Sequence, residues 1–435
     1  MNNMLATRKR VLVYPCGTEI ALEIYRSVSK STYFELIGGS SDYDHGRFVY
    51  KNHIDNLPFI TDNSPIDDIK EFNNILKDYN IDYIYPAMDG VLYKFAQYKE
   101  IFDSVVIAPD LETATITRSK TKTYELFKGL LNTPRLFSPV EKDLPYPLFI
   151  KPASSQGSQG AVLLQNDNDL RCSLEQANGK EMVLMEYLPG EEYTIDCFTN
   201  TDGKLIYVGG RGRKRIKNGI SVNAVAENDP VFIELAGIIN SHLNQIGGWF
   251  FQVKKNIDGK YSLLEVASRI AGASAFARAH SVNLPLMTLY LYSGQIIDSI
   301  IYNEYGVELD RALYNCYKLD IDYTYVYVDY DDTLVINNII NTELIMFLFQ
   351  CINKGKILLL ITKYAGDIHA DLKKRRLDGI FDEIISLNSQ DNKVCNIKHK
   401  DAIFIDDSYG ERANVKNNTG IYVFDTHMIE CLLQN

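Results

Sequence analysis

Apolar residues fall in short, nearly unbroken runs separated by polar stretches with helical spacing, the pattern of a parallel sheet covered on both faces. Val11-Leu12-Val13-Tyr14 is one such run, and Pro15-Cys16-Gly17-Thr18 turns from it into a helix predicted over about 19–29. Phe34-Glu35-Leu36-Ile37-Gly38-Gly39 predicts a second strand, Ile81–Pro86 and Val105–Pro109 later ones, and Ile66–Tyr79 a helical connection. This alternation predicts an α/β lobe over roughly residues 8–112. Its loops after strands, Tyr14–Thr18 and Pro86–Gly90, lie where open α/β sheets bind ligands. Asp89 suits a substrate amine there, and suits a plain turn equally well. Gly17 by itself is no dinucleotide fingerprint.

Further on the periodicity mixes strands with helices. Ser119–Gly129 predicts a helix capped by Thr117 or Ser119, with Lys120 in its first turn. Leu148-Phe149-Ile150 delivers Lys151, Pro152 stops the strand, and a small, flexible loop follows before Ala161-Val162-Leu163-Leu164. Met182–Leu188 reads as a strand leaving through Pro189-Gly190, and Glu191–Phe198 as a strand with two acids at its start. Val231–Ile246 has amphipathic helical spacing. Trp249–Lys254 and Tyr261–Ala267 flank Asp258-Gly259, a strong hairpin signal. After Tyr292-Ser293-Gly294 the chain turns polar and irregular, which places a linker at about 303–322. A new α/β pattern then opens with Tyr325–Val328, Ile357–Ile361 and Ala402–Ile405 as strands.

Composition narrows the classes. A chain of 435 residues exceeds one ordinary core, and 46% apolar with 23% charged residues describes a globular protein. A net charge of -11 weighs against nucleic acid or an anionic membrane as partner. Seven scattered cysteines without a Cys-x-x-Cys pair fit reduced thiols, so a cytoplasmic location is expected. No signal peptide is read at the start, and no apolar run approaches the roughly 20 residues that span a bilayer.

The candidate chemistry is that of phosphate. A lysine beside a Ser/Gly loop offers a point cation and a nest of N–H groups. Downstream lie a dense basic cluster, Arg211-Gly212-Arg213-Lys214-Arg215, and an acid, Glu265, on the hairpin. These are parts of an ATP-dependent phosphoryl-transfer site. In this order they resemble the ATP-grasp superfamily, in particular the branch like the carbamoyl-phosphate synthase large subunit, over about residues 8–300. The resemblance implies a pre-ATP-grasp α/β domain at 1–112 and an ATP-grasp domain at 113–302, with its lid at about 140–195.

It also implies roles. Lys120 and Lys151 would hold ATP phosphates under the lid loop, with Ser154, Ser155, Gly157 and Gly160 as its phosphate-facing residues. Glu186 and the backbone of Tyr187 and Leu188 would meet the adenine, and Glu192 the ribose hydroxyls. Gln252 and Glu265 would bind Mg2+, which Mn2+ can replace, through hard oxygens. Arg269 would meet the transferring phosphoryl group, and Arg213 or Arg215 the substrate carboxylate and acyl phosphate. The family usually reads Glu-x-Asn-x-Arg where this chain has Glu265-Val266-Ala267-Ser268-Arg269, and alanine cannot ligate a metal.

The last segment carries a second constellation. Strands end in Asp329-Tyr330-Asp331-Asp332-Thr333, in Thr362-Lys363 and in Asp406-Asp407-Ser408, with Asp391-Asn392-Lys393 between them. Acids just past a buried strand are costly unless they bind cations or perform chemistry. The set resembles the haloacid dehalogenase superfamily of phosphohydrolases over residues 323–435. It implies Asp329 as nucleophile, Asp331 as general acid and base, Thr362 on phosphoryl oxygens and Lys393 as neutralising cation. Asp329, Asp331, Asp406 and Asp407 supply the magnesium oxygens in that reading. The short segment between Leu334 and the next strand leaves little room for a cap.

The expectation is therefore a multidomain α/β and α+β enzyme. It joins a carboxylate to an amine through an acyl phosphate and has a magnesium-dependent phosphatase acting on a linked phosphorylated small molecule. Its partners would be small molecules, and a homodimer is allowed. The rival readings are a carboxylase or carbamoyl-forming enzyme using carboxyphosphate, and an ATP-binding sensor module with a non-catalytic haloacid dehalogenase-like domain.

Overall fold

The computed structural model describes residues 8–154, 160–217 and 219–434, and the chain divides into two compact units at Leu313/Tyr314. In the first unit, β1 (Lys9–Tyr14), β2 (Phe34–Gly39), β3 (Asn52–Ile54), β4 (Tyr83–Pro86) and β5 (Val105–Val106) form a parallel sheet of order β3-β2-β1-β4-β5. Strand β1 is central, which explains why its apolar run is unbroken: Val11, Leu12 and Val13 are fully buried. The following helix, Glu19–Val28, starts where Thr18 accepts a hydrogen bond from the Ala21 amide at 3.1 Å. A core of Phe72, Phe95 and Tyr14 packs on one face of the sheet.

Two antiparallel sheets follow. β6 (Leu136–Phe137), β7 (Leu148–Pro152), β8 (Val162–Leu164) and β9 (Met182–Glu186) are ordered β6-β9-β7-β8. β10 (Glu192–Thr199), β11 (Leu205–Lys217), β12 (Ile220–Glu227), β13 (Gly247–Lys255), β14 (Tyr261–Ala267) and β15 (Glu308–Asp310) are ordered β14-β13-β10-β11-β12-β15. The β13–β14 hairpin turns at Gly259, whose φ of +75° is cheap only for glycine. Strand β15 corrects the linker expectation: residues 308–310 pair antiparallel with β12, so part of 303–322 is sheet edge.

In the second unit, β16 (Tyr325–Val328) is the centre of a parallel sheet. It is flanked by β19 (Ile357–Thr362) and β20 (Glu383–Ser386) on one side, and by β21 (Ala402–Ile405) and β22 (Tyr422–Phe424) on the other. A small hairpin, β17 (Val335–Ile336) and β18 (Ile339–Ile340), follows β16. Apolar cores cover both faces, which is what continuous Val/Ile/Leu runs require. Among the described residues no helix is long and apolar enough to cross a membrane.

Candidate active sites

A cavity of about 140 Å³ opens between the four-stranded and six-stranded sheets of the first unit. Lys151 reaches it from β7, and Lys120 from the first turn of the helix Lys120–Phe127. That helix is capped by Ser119, and the Lys120 amide donates to Ala153 O at 3.0 Å, tying its start to the end of β7. Lys151 Nζ donates to Tyr124 Oη at 3.1 Å, and Tyr124 in turn to Leu264 O at 2.7 Å. Burial, with Lys120 adding like charge, lowers the Lys151 ammonium to about 7. Lys120 is lowered as well, chiefly by burial. Two desolvated ammonium groups in one cavity suit a polyanion.

The opposite wall is acidic. Gln252 and Glu265 are cross-strand partners on β13 and β14 and both line the cavity. Directly after that pair the register slips, so consecutive residues Leu264 and Glu265 both reach the cavity. Glu186, Tyr187 and Leu188 form the end beyond β9, where Glu186 accepts from the Arg135 amide at 3.1 Å. Glu192 at the start of β10 is ion-paired with Arg213 of β11, and Arg213 Nε is buried without a hydrogen-bond partner.

The second unit gathers carboxylates at one sheet edge. Asp329 follows β16 and Asp406 follows β21, two neighbouring parallel strands, so their ends are adjacent by register. Lys393 Nζ bridges them, 2.6 Å from Asp329 Oδ1 and 2.6 Å from Asp406 Oδ2. Oxygens of Asp329, Asp406 and Asp407 lie within 4.8 Å of one another. Burial, reinforced by Asp406 and opposed by Lys393, raises Asp329 to about 7. Asp406 is raised too, chiefly by burial. Burial opposes the Lys393 ammonium, yet the two carboxylates win and raise it. Two buried carboxylates share one ammonium, and the excess negative charge suits a cation.

Comparison with known proteins fits the first unit. The family model described as "ATP-grasp in the biosynthetic pathway with Ter operon" matches residues 178–310. The N5-carboxyaminoimidazole synthetase of Staphylococcus aureus, complexed with ADP, superposes with a TM-score of 0.59 at 13% identity, over 72% of this chain and 84% of that one. The chain carries the ATP-grasp fold. The biotin carboxylase domain of Hydrogenobacter thermophilus 2-oxoglutarate carboxylase, solved as a dimer with MgADP and bicarbonate, gives 0.56 at 15% identity over 68% and 72%. The L-amino acid ligase of Bacillus licheniformis gives 0.52 at 17% over 65% and 73%. In sequence, the chain is 25% identical over 213 residues to a formate-dependent phosphoribosylglycinamide formyltransferase of Prochlorococcus marinus, covering 43% of this chain. It spans about half, 54%, of that relative's length.

Within the first unit's cavity the structure brings together Lys120, Lys151, Glu186, Tyr187, Leu188, Glu192, Arg213, Gln252 and Glu265. Ser154 and Gly160 are not among its lining residues, and Ser155 and Gly157 lie outside the described residues. Arg215 is exposed and paired with Asp310 at 2.7 Å, because the edge strand β15 places an acid beside it. Arg269 also lies off the cavity wall: Asp89, at the start of its helix, takes the guanidinium through two bonds of 2.6 and 2.7 Å. That pairing gives Asp89 a partner that neither reading of it, substrate amine or plain turn, names. Within the basic cluster, Arg211 is buried against Asp196.

Sequence reading passed over Phe149, Met185, Lys254 and Tyr124. Strand periodicity could have found two of them. Phe149 precedes Lys151 by two, and Lys254 follows Gln252 by two, so each shares a face with a named residue. Tyr124 acts through Lys151, and only the packing reveals it. In the second unit Asp331 is exposed and absent from the oxygen cluster, which corrects its place among the magnesium ligands. Thr362 is buried at the end of β19 and accepts from the Tyr364 amide at 3.0 Å.

Proposed function

We propose that the first unit is an ATP-dependent carboxylate–amine ligase, and that the second is a magnesium-dependent phosphohydrolase of the haloacid dehalogenase type. One observation carries the ligase reading: two desolvated lysines face Glu265 and Gln252 across a single cavity. Lys120 and Lys151 bind the phosphates of ATP, Glu186 with the Tyr187–Leu188 backbone takes the adenine, and Glu192 the ribose. Glu265 and Gln252 fit magnesium because both offer hard oxygens, and the ion would offset phosphate charge there. Arg213, which lines the cavity beside Glu192, receives the anionic acyl group. Transfer of the terminal phosphoryl group to a carboxylate oxygen makes a good leaving group, which an amine displaces to give an amide, ADP and phosphate. Cations on both walls lower the repulsion between the two anions that must meet.

In the second unit Asp329 attacks phosphorus, and Lys393 screens the two like charges as they approach. Asp331, outside the oxygen cluster, gives its proton to the leaving oxygen as that oxygen's bond to phosphorus breaks, and takes a proton back from the water that hydrolyses the aspartyl phosphate. Asp406, Asp407 and Asp329 fit magnesium by their oxygen-only donor set.

Screening amino acids and small carboxylates for ADP formation tests the ligase. An acid–amine pair should raise ADP release, and Lys151→Met should abolish it. ADP release stimulated by bicarbonate alone would instead assign a carboxyphosphate-using carboxylase. ATP binding without any substrate-dependent turnover would leave a sensor. Hydrolysis of p-nitrophenyl phosphate tests the second unit: Asp329→Asn should stop it and leave ADP formation intact.

A further inference from the structure

A second group of ligand-type side chains sits away from both sites. It lies at the carboxyl ends of β1, β2 and β3, and none of its residues lines the nucleotide cavity. Cys16 Sγ is 3.3 Å from His53 Nε2 and 3.9 Å from Asp44 Oδ1. Cys16 and Ser40 are completely buried, whereas Asp44 and His53 are partly open to solvent. We propose that Cys16, His53 and Asp44 form a zinc-class divalent-metal site that ties the ends of these three strands together.

The separations carry the argument. Zinc binds sulfur at about 2.3 Å, imidazole nitrogen at about 2.0–2.1 Å and carboxylate oxygen at about 2.0–2.2 Å, so a tetrahedral shell needs ligand atoms about 3.5 Å apart. The two measured separations bracket that figure. Ser40 Oγ donates to Asp44 Oδ2 at 2.7 Å and lies 3.1 Å from Cys16 Sγ and 3.3 Å from His53 Nε2, and so holds the carboxylate beside the other two ligands. A thiol with an imidazole selects zinc-class ions over magnesium. Thiolate and carboxylate together cancel a dication, so the occupied site adds no net buried charge. Binding releases one proton, from the Cys16 thiol, as the sulfur–metal bond forms.

The surroundings fit the same reading. His53 is paired in register with Gly38, and the Cys16 amide donates to Gly39 O at 2.9 Å, so two of the ligands are held by the sheet itself. Asp44 Oδ1 accepts from the Gly46 amide at 2.8 Å. A Cβ on Gly46 would collide with Cys16 Sγ, and one on Gly17 with the Asp44 carboxyl group, so the backbone closes over the cluster as only glycine permits. The buried His53 Nδ1 lies 2.9 Å from Asp55 Oδ1. That carboxylate stands where ligand histidines find their orienting partner.

Elemental analysis of the full chain, purified without chelators, should find about one zinc per protein. After chelator treatment, cobalt(II) added in excess magnesium should give a thiolate-to-cobalt charge-transfer band and the visible bands of a tetrahedral site. Cys16→Ser should remove the charge-transfer band, and Cys172→Ser should keep it. Asp55→Asn should weaken cobalt binding about 10–100-fold. Absence of both zinc and the band in the wild-type chain would overturn the proposal and leave a hydrogen-bond network around Ser40. So would a band that survives Cys16→Ser. Neither readout uses ATP, so failure of the ligase assignment leaves this test unaffected.

Discussion

Lys151 shows how one buried side chain makes binding depend on pH. With its ammonium lowered to about 7, the empty cavity loses that charge as pH rises past neutrality. A triphosphate favours the charged form, so ATP binding at about pH 8 should take up a proton, and affinity should fall from about pH 6 to 8.5. Calorimetry in buffers of different ionisation enthalpy measures the uptake, and Lys151→Arg should abolish it because arginine stays charged. Asp329 makes stability, in turn, depend on pH. Its folded value, about 7, lies above the ordinary 3.8, so the folded unit holds the proton more tightly than the unfolded chain. The associated stability is complete below pH 3.8 and is lost as pH rises through about 7. Thermal unfolding of metal-free protein should show that decline, and Asp329→Asn or added magnesium should flatten it. Both residues were legible as site candidates from their place at strand ends. Their altered acidities were not, since those come from neighbours far away in sequence.

At the scale of elements, β11 decides how the basic cluster is used. Arg211 and Arg213 face acids on β10, while Gly210 lets the helix Val231–His242 approach: a Cβ there would meet Phe232 and Glu227 O at 2.5–2.6 Å. Gly210→Ala should therefore destabilise the first unit by about 1–3 kcal/mol, the usual cost of overpacking. Gly212→Ala meets Tyr193 and Val225 at 3.8 Å, ordinary contact, and should change stability by less than about 0.5 kcal/mol. Paired thermal melts check the contrast. Strands β1 and β2 and the β13–β14 hairpin were readable because local period and turn chemistry agree with the fold. The slip beside Gln252, the edge strand β15 and the Asp89–Arg269 pair were not, because each depends on a partner element.

For the whole molecule, the two compact units have separate apolar cores, and calorimetry should resolve two unfolding transitions. ATP with magnesium should raise the first-unit transition, by about 2.7 kcal/mol of added stability at a hundredfold excess over Kd. Asp329→Asn should shift only the other. A single transition, moved equally by both, would contradict independent cores.

From the sequence alone came the parallel-sheet patterns, a linker at about 303–322 and the candidate phosphate-binding residues, because hydrophobic period and strand-end chemistry are local properties. Only the tertiary structure decided which charges face one another. It placed Arg213 on the cavity and Arg215 against Asp310, gave Arg269 to Asp89, and drew Cys16, Asp44 and His53 together. Those choices depend on register and packing between distant segments, where a few ångströms separate a ligand from a bystander.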